Sequence, residues 1–413
     1  MICQFSFKNY KSYKNDTVFD MQASNLTEHE DTLIKVEGVS ELLPVSAIYG
    51  PNGGGKSNLI QALSCLISLV VSPIRDLNKN RVPHIFQTPV SCEPYLFDVT
   101  SRDEPTEFSL FFRTGNYEYR YAIALVNDIV VTESLHRKKF GARKIAMLFE
   151  RDKTSITLGP TLDKKNINKE VNPKMPYLSF LAINYNIPSI VEVQIWFENC
   201  VIRNYSRPEA EKNISVFNSG VFKDNFICFL NDMGIDITDY EFSQDKDEFI
   251  LQRTIGDHKF YIPFNSESDG TKKLFACLPV LMIALAEGRL VIIDELDAKL
   301  HPKLLRYIIS LFTDASINLK NAQLIFTTHD LSTMKNDVFR RDEIWFAALD
   351  MYHSSEIYSL DEIRREDGKR INHTASYDKQ YLEGRYGADP YLSKMMKWEV
   401  IHEQMDVLHP WIK

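Results

Sequence analysis

Paired cysteines, long apolar runs and an excess of basic charge are all missing from this 413-residue chain. Six cysteines (Cys3, Cys65, Cys92, Cys200, Cys228 and Cys277) stand far apart and no CxxC occurs, which speaks against a thiolate zinc site or a dithiol redox motif. Separate core thiols in a reducing compartment are expected. The most apolar stretches, around 62–71 and 278–286, are too short to span a bilayer. The opening MICQFSFKNYKSYKND has no basic segment leading into an apolar run, so no secretory signal is visible. A cytoplasmic protein without a membrane partner is expected. The formal net charge of −8 argues against a duplex-coating protein, whose affinity would come from phosphate neutralisation. Nucleic acid stays possible through a local patch but is not indicated by charge. Internal repeats, low-complexity segments and heptad arms are also absent.

What remains is an ordinary globular balance, 44% hydrophobic and 25% charged, long enough for one large or two smaller domains. Alternation in Ile2–Phe7 suits a first strand, and Leu43–Tyr49 a second that runs into a glycine loop and an apolar helix from Asn58 to Val71. Tyr95–Val99, Glu107–Phe112, Tyr117–Ala124, Asp128–Leu135 and Ile145–Phe149 read as an antiparallel meander. After about 154 prolines interrupt the pattern. Helices are predicted near Ser189–Tyr205 and Asn218–Met233, with strands at Tyr240–Ser243 and Phe249–Thr254. Helix, strand, helix, strand follow at Lys272–Ala286, Arg289–Ile293, Pro302–Thr313 and Ala322–Thr327, a parallel α/β text. The expected organisation is an α/β head in two sequence parts, 1–155 with an antiparallel β lobe and 263–413. A mainly helical insert at 156–262 lies between them.

Gly50-Pro51-Asn52-Gly53-Gly54-Gly55-Lys56-Ser57 matches the pattern GxxxxGK[ST], between a predicted strand and a predicted helix. In that context the glycines let backbone N–H groups turn inward around phosphates at a helix N-terminus. Asn52, Gly53, Gly54, Gly55, Lys56, Ser57 and Asn58 are therefore the candidate nucleotide-binding residues. Lys56 would reach the β- and γ-phosphates of ATP and Ser57 would ligate Mg²⁺. A glycine-rich turn without a ligand is the plainer alternative. Leu290–Ile293 is an apolar strand ending in Asp294 and Glu295. Asp294 suits the Mg²⁺ shell and Glu295 the polarisation of an attacking water. An apolar strand ending in two carboxylates is weak evidence alone and strong beside a P-loop.

Ser268-Asp269-Gly270-Thr271, ahead of the helix that precedes Asp294, resembles the ABC signature in the degenerate form of non-transporter members. Read alone, it is a helix cap. Leu296-Asp297-Ala298 resembles the D-loop that couples opposite sites, with Asp297 at its centre. His329, after Thr327-Thr328, falls where that family has its switch histidine. Asn9–Tyr13, Arg341–Phe346 and the segment GRYGADP at 384–390 resemble AAA-family ATPases with ABC-type heads. Arg341–Phe346 and the segment 381–390 resemble the RloA/AbiLi-like anti-phage subgroup, related to OLD and SMC types. The resemblance covers both ends of the chain and leaves the insert without a motif. Gly54 departs from it, since many ABC heads have Ser there. Gln87 is the candidate Q-loop residue.

The resemblance implies catalytic roles for Lys56, Glu295 and His329. It also implies an ATP-dependent homodimer, or a higher even oligomer, in which Ser268–Thr271 completes the partner's site. It further implies an effector or toxin partner encoded nearby, regulated in abortive infection. A DNA-repair ATPase that clamps DNA is the alternative. A transporter ATPase fits worst, because the Phe/Tyr-rich strands and the GRYGADP segment are foreign to transporter heads. The basic run 136–144 is a candidate phosphate surface, although such runs are more often solvated hairpin tips.

Overall fold

The computed structural model describes residues 1–77, 92–153, 155–163, 166–205, 220–243, 248–365 and 367–388. The apolar runs that read as buried strands form its central sheet. Strands β3 (Val45–Tyr49), β9 (Val201–Asn204), β13 (Leu290–Asp294), β14 (Gln323–Thr327) and β15 (Ile344–Leu349) run parallel, and β16 (Ser355–Ser359) pairs antiparallel with β15. Their order is β16-β15-β3-β14-β13-β9. Every residue of β3, β13 and β14 is buried, and alternate residues feed two cores. Ile48, Ile292 and Ile325 pack into one, and Ala47, Ile293 and Phe326 into the other. A sheet covered on both faces needs continuous apolar strands, which is why they are legible in the sequence.

The predicted meander is a seven-stranded antiparallel sheet, β2-β1-β4-β5-β6-β7-β8. It comprises β1 (Ile2–Lys8), β2 (Thr17–Asp20), β4 (Thr106–Thr114), β5 (Tyr117–Val126), β6 (Ile129–Lys139), β7 (Ala146–Asp152) and β8 (Ser155–Leu158). One face packs on α1 (Lys56–Leu77), α3 (Tyr177–Asn184) and α4 (Pro188–Glu198). The Phe112 and Trp196 rings stack there with centroids 4.3 Å apart. Among the described residues α1 has the length and apolarity to cross a membrane, yet Leu63, Leu66, Ile67 and Val70 are buried in this core. Helix α2 (Pro160–Asp163) links β8 onward.

A small antiparallel sheet of β10 (Asp239–Ser243), β11 (Glu248–Ile255) and β12 (His258–Pro263) sits with α5 (Gly220–Asp232) beside α6 (Asp269–Glu287). The Phe275 ring of α6 is 5.0 Å from that of Phe226 and 5.3 Å from those of Phe249 and Phe264. Helices α7 (Pro302–Thr313) and α8 (Tyr377–Leu382) complete the described elements.

Several expectations are corrected. Tyr95–Val99 is not a strand: the Tyr95 N–H donates to the Asn9 side chain rather than to a ladder, and Leu96 and Phe97 are exposed. The helix expected to reach Tyr205 stops at Glu198, because Val201–Asn204 pairs with β13 as the edge of the central sheet. Strands β2, β8, β12, β15 and β16 have no counterpart among the expected strands. The stretch 156–262 thus holds helices α2 to α5 together with strands β9 to β12. All six cysteines are free thiols, and Cys3, Cys65, Cys200 and Cys277 are buried. Burial pushes the Cys3, Cys200 and Cys277 thiols up to about 12, which suits inert core groups.

Candidate nucleotide site

The P-loop joins β3 to α1, as the sequence implied. Gly50, Gly53 and Gly55 hold φ of 144°, 79° and 107°, conformations that an L side chain rarely adopts. The loop is also walled in. A Cβ on Gly50 would lie 2.1 Å from the Ala347 carbonyl oxygen of β15, and one on Gly54 2.6 Å from the same atom. The buried Lys56 ammonium donates to the carbonyls of Gly50 (2.8 Å) and Pro51 (3.0 Å), so it is folded into its own loop. Burial lowers its pKa, opposed by the carboxylates of Asp294, Glu295 and Asp297.

The C-terminal ends of three neighbouring strands supply the rest. Asp294 ends β13, and its Oδ1 accepts from Ser57 (3.2 Å) and from the Thr327 hydroxyl at the end of β14 (2.6 Å). The same Thr327 hydroxyl accepts from the Glu295 N–H (2.7 Å), so it orders both carboxylate-bearing residues. From β9, Asn204 donates to Asp294 Oδ2 at 3.4 Å. Glu295 is exposed and has φ 53°, the left-handed region, where the strand breaks into its loop. The N–H of His329, beyond β14, donates to Asp297 Oδ2 (3.1 Å). Burial, then the Lys56 charge, lowers the His329 pKa, which favours a neutral imidazole.

Ser268 caps α6, its Oγ accepting from the Thr271 N–H at 3.2 Å. Asp269 pairs with Lys272 (3.1 Å) and Lys299 (3.0 Å). The Gly270 backbone lies against the Lys299 carbonyl, 3.0 Å from where a Cβ would sit. The signature segment therefore adjoins the loop that carries Asp297.

The structure thus gathers Lys56, Ser57, Asp294, Glu295, Asp297 and His329 around one loop. Asn58 donates to the Ser12 hydroxyl (2.8 Å) and Tyr13 to the Gly55 carbonyl (3.2 Å), so the Asn9–Tyr13 segment lies on the P-loop. Asn52 and Gly53 are exposed at the loop tip. Gln87 lies outside the described residues. Sequence reasoning missed Thr327 and Asn204, and Thr327 alone left a trace as a hydroxyl closing an apolar strand. The first three residues of the basic run 136–144 are engaged locally: Lys138 pairs with Glu118 (2.6 Å), His136 with Glu150 (3.3 Å), and Arg137 lies over the Tyr117 ring.

The donor set fits Mg²⁺–nucleotide: a hydroxyl and a carboxylate 3.2 Å apart beside a loop with no room for a Cβ at Gly50, Gly54 or Gly55. A parallel sheet with a P-loop on its central strand and a carboxylate pair on the second strand over makes this chain a P-loop ATPase of the AAA/ABC kind. Residues 45–335 match the family model described as "AAA domain, putative AbiEii toxin, Type IV TA system". The chain belongs to that family. The solved structure titled "Crystal structure of the SmcHead bound to the C-winged helix domain of ScpA" is similar at 13% identity and TM-score 0.44, covering 87% of this chain and 97% of that one. No curated protein matches.

Proposed function

We propose that this chain hydrolyses ATP in sites completed across an ATP-dependent homodimer, and that the cycle holds or releases an effector partner in bacterial anti-phage defence. The observation that carries the reading is the division of the site. Lys56, Ser57, Asp294, Glu295 and His329 surround one loop, while the polar contacts of Ser268, Asp269 and Thr271 run to one another, Lys272 and Lys299. That leaves the helix N-terminus exposed, where Ser268 would exchange its contacts with Thr271 for a second copy's γ-phosphate.

In this reading Ser57 and Asp294 hold Mg²⁺, which when bound neutralises charge on the phosphate oxygens. Lys56 exchanges its two carbonyl partners for β- and γ-phosphate oxygens. Glu295 orients and polarises the attacking water, and neutral His329 donates toward the γ-phosphate. Thr327 keeps Asp294 and Glu295 in register. The family's toxin–antitoxin description and the resemblance of 384–390 to defence ATPases support the effector partner. ATP need only favour one dimer state by about 3 kcal/mol to change effector release more than a hundredfold.

Glu295→Gln tests the chemistry. It should keep ATP binding, lower turnover by at least about a hundredfold, and accumulate ATP-bound dimers by light scattering. Normal turnover in that variant removes Glu295 from its role.

A further inference from the structure

Lys273, on α6 two residues beyond Thr271, is 1% exposed. Its ammonium donates to the carbonyls of Glu295 (2.6 Å) and Ala298 (2.9 Å). Both acceptors are backbone carbonyls on the turn after β13, not carboxylates. Burying an ammonium against neutral acceptors is costly, and burial lowers its pKa against the opposing pull of Cys277, Asp297 and Glu295. Such a group is unfavourable as a packing device. Its geometry, however, is specific.

The turn it grips is backbone-strained at both ends. Glu295 has φ 53° and Lys299 φ 65°, left-handed values for residues with side chains. The Glu295 N–H is held from one side by Thr327 and its carbonyl from the other by Lys273. The peptide groups flanking Glu295 are therefore anchored to two different elements, β14 and α6. At the start of α6, Asp269 pairs with Lys299 and the Gly270 backbone abuts the Lys299 carbonyl. The signature end of α6 and the turn 295–299 are thus tied at three points.

We propose that Lys273 is a positioning residue that couples the signature end of α6 to the orientation of the Glu295 carboxylate. A displacement of α6 by a nucleotide held on a second copy moves the Lys273 ammonium, the Glu295 carbonyl with it, and so the direction of the side chain that faces water. One copy's binding surface is thereby linked to the hydrolytic geometry of its own site. This rests on reading Glu295 as the water-polarising group.

The experiment is a double-mutant cycle on the full chain, with single-turnover and steady-state ATP hydrolysis and ATP binding by equilibrium titration. Lys273→Met should lower kcat between about tenfold and a hundredfold while KM and ATP affinity change less than about twofold. Lys273→Arg, which keeps N–H donors for both carbonyls, should recover part of the loss. On a Glu295→Gln background, Lys273→Met should cost nothing further, because the group it positions is gone. Should Lys273→Met not fold, Lys273→Gln carries the same measurement. A kcat near wild type in Lys273→Met, or a double variant in which the two losses multiply, overturns the proposal. Normal turnover in Glu295→Gln alone brings down the Glu295 reading, and this coupling with it. An inactive Glu295→Gln beside a fully active Lys273→Met brings down the coupling alone.

Discussion

Gly54 stands where many ABC heads carry serine, and the packing around it gives the reason for glycine. A Cβ there would approach the Ala347 carbonyl to 2.6 Å and Pro51 Cδ to 3.2 Å. Ala347 lies within β15, whose pairing with β3 and β16 leaves that carbonyl little room to retreat. Gly54→Ser should therefore push the P-loop off its sheet, at about 1–3 kcal/mol and roughly tenfold or more in ATP affinity. Nucleotide titration and thermal melting read this directly. A serine variant that binds ATP like the parent and melts with it would show that the loop is free to move. The same scale explains Thr327: one hydroxyl between Asp294 Oδ1 and the Glu295 N–H fixes the two carboxylate-bearing residues that close β13.

Among the elements, α3 owes its place to one buried carboxylate from β6. Glu133 accepts from the N–H groups of Tyr177 (2.6 Å) and Leu178 (2.9 Å) and from the Tyr121 hydroxyl (3.0 Å). It thus satisfies donors at the N-terminus of α3 and sets a negative charge at the positive end of its dipole. Arg151 of β7 stands 3.7 Å away, also buried. Glu133→Ala leaves those donors without their acceptor and the guanidinium, which still donates to the Lys153 and Met175 carbonyls, without its counter-charge, so unfolding stability should fall by about 3 kcal/mol or more. Urea unfolding gives the number, and a loss below about 1 kcal/mol would mean that water or a neighbour replaces the carboxylate. A second buried clamp joins the turn before β15 to the chain near 24–28. Arg340 grips Asp342 through Nε and Nη2 (both 2.9 Å), and Arg341 grips Glu28 (2.8 and 3.0 Å). Segment 341–346 was noticed by resemblance, but its work here is to tie the sheet to the N-terminal region.

For the whole molecule, the proposed completion of each site by a second copy is tested on two chains at once. Lys56→Ala lacks the phosphate contact and Ser268→Arg blocks the signature surface, so neither alone should hydrolyse ATP. Mixed together, they leave at most one intact site per heterodimer and should recover partial turnover. No recovery at any mixing ratio, with heterodimers shown by mass, would count against completion in trans. The effector reading has its own measurement. Cells expressing this chain with its genomic neighbour should resist phage, and cells expressing either gene alone, or Lys56→Ala with the neighbour, should not. Full protection by this chain alone would place the effector activity within it.

The sequence by itself determined where the P-loop and the carboxylate-ended strand lie. Phosphate binding needs glycines, a lysine and a hydroxyl within one short loop, and β3, β13 and β14 are buried on both faces, so their apolar runs and the residues that end them stand out. Local alternation likewise made most of the β lobe readable. Tertiary structure alone decided which distant segments serve the loop. Val201–Asn204 looks like the end of a helix until β13 offers it a parallel edge, and only then does Asn204 stand beside Asp294, 90 residues away. Lys273 reads as one more polar residue on an apolar helix until the turn after β13 presents two carbonyls to it. Asn9 takes the Tyr95 N–H and so turns an expected strand into a loop. Each of these choices depends on partners far along the chain, and pairing energy, not local propensity, settles them.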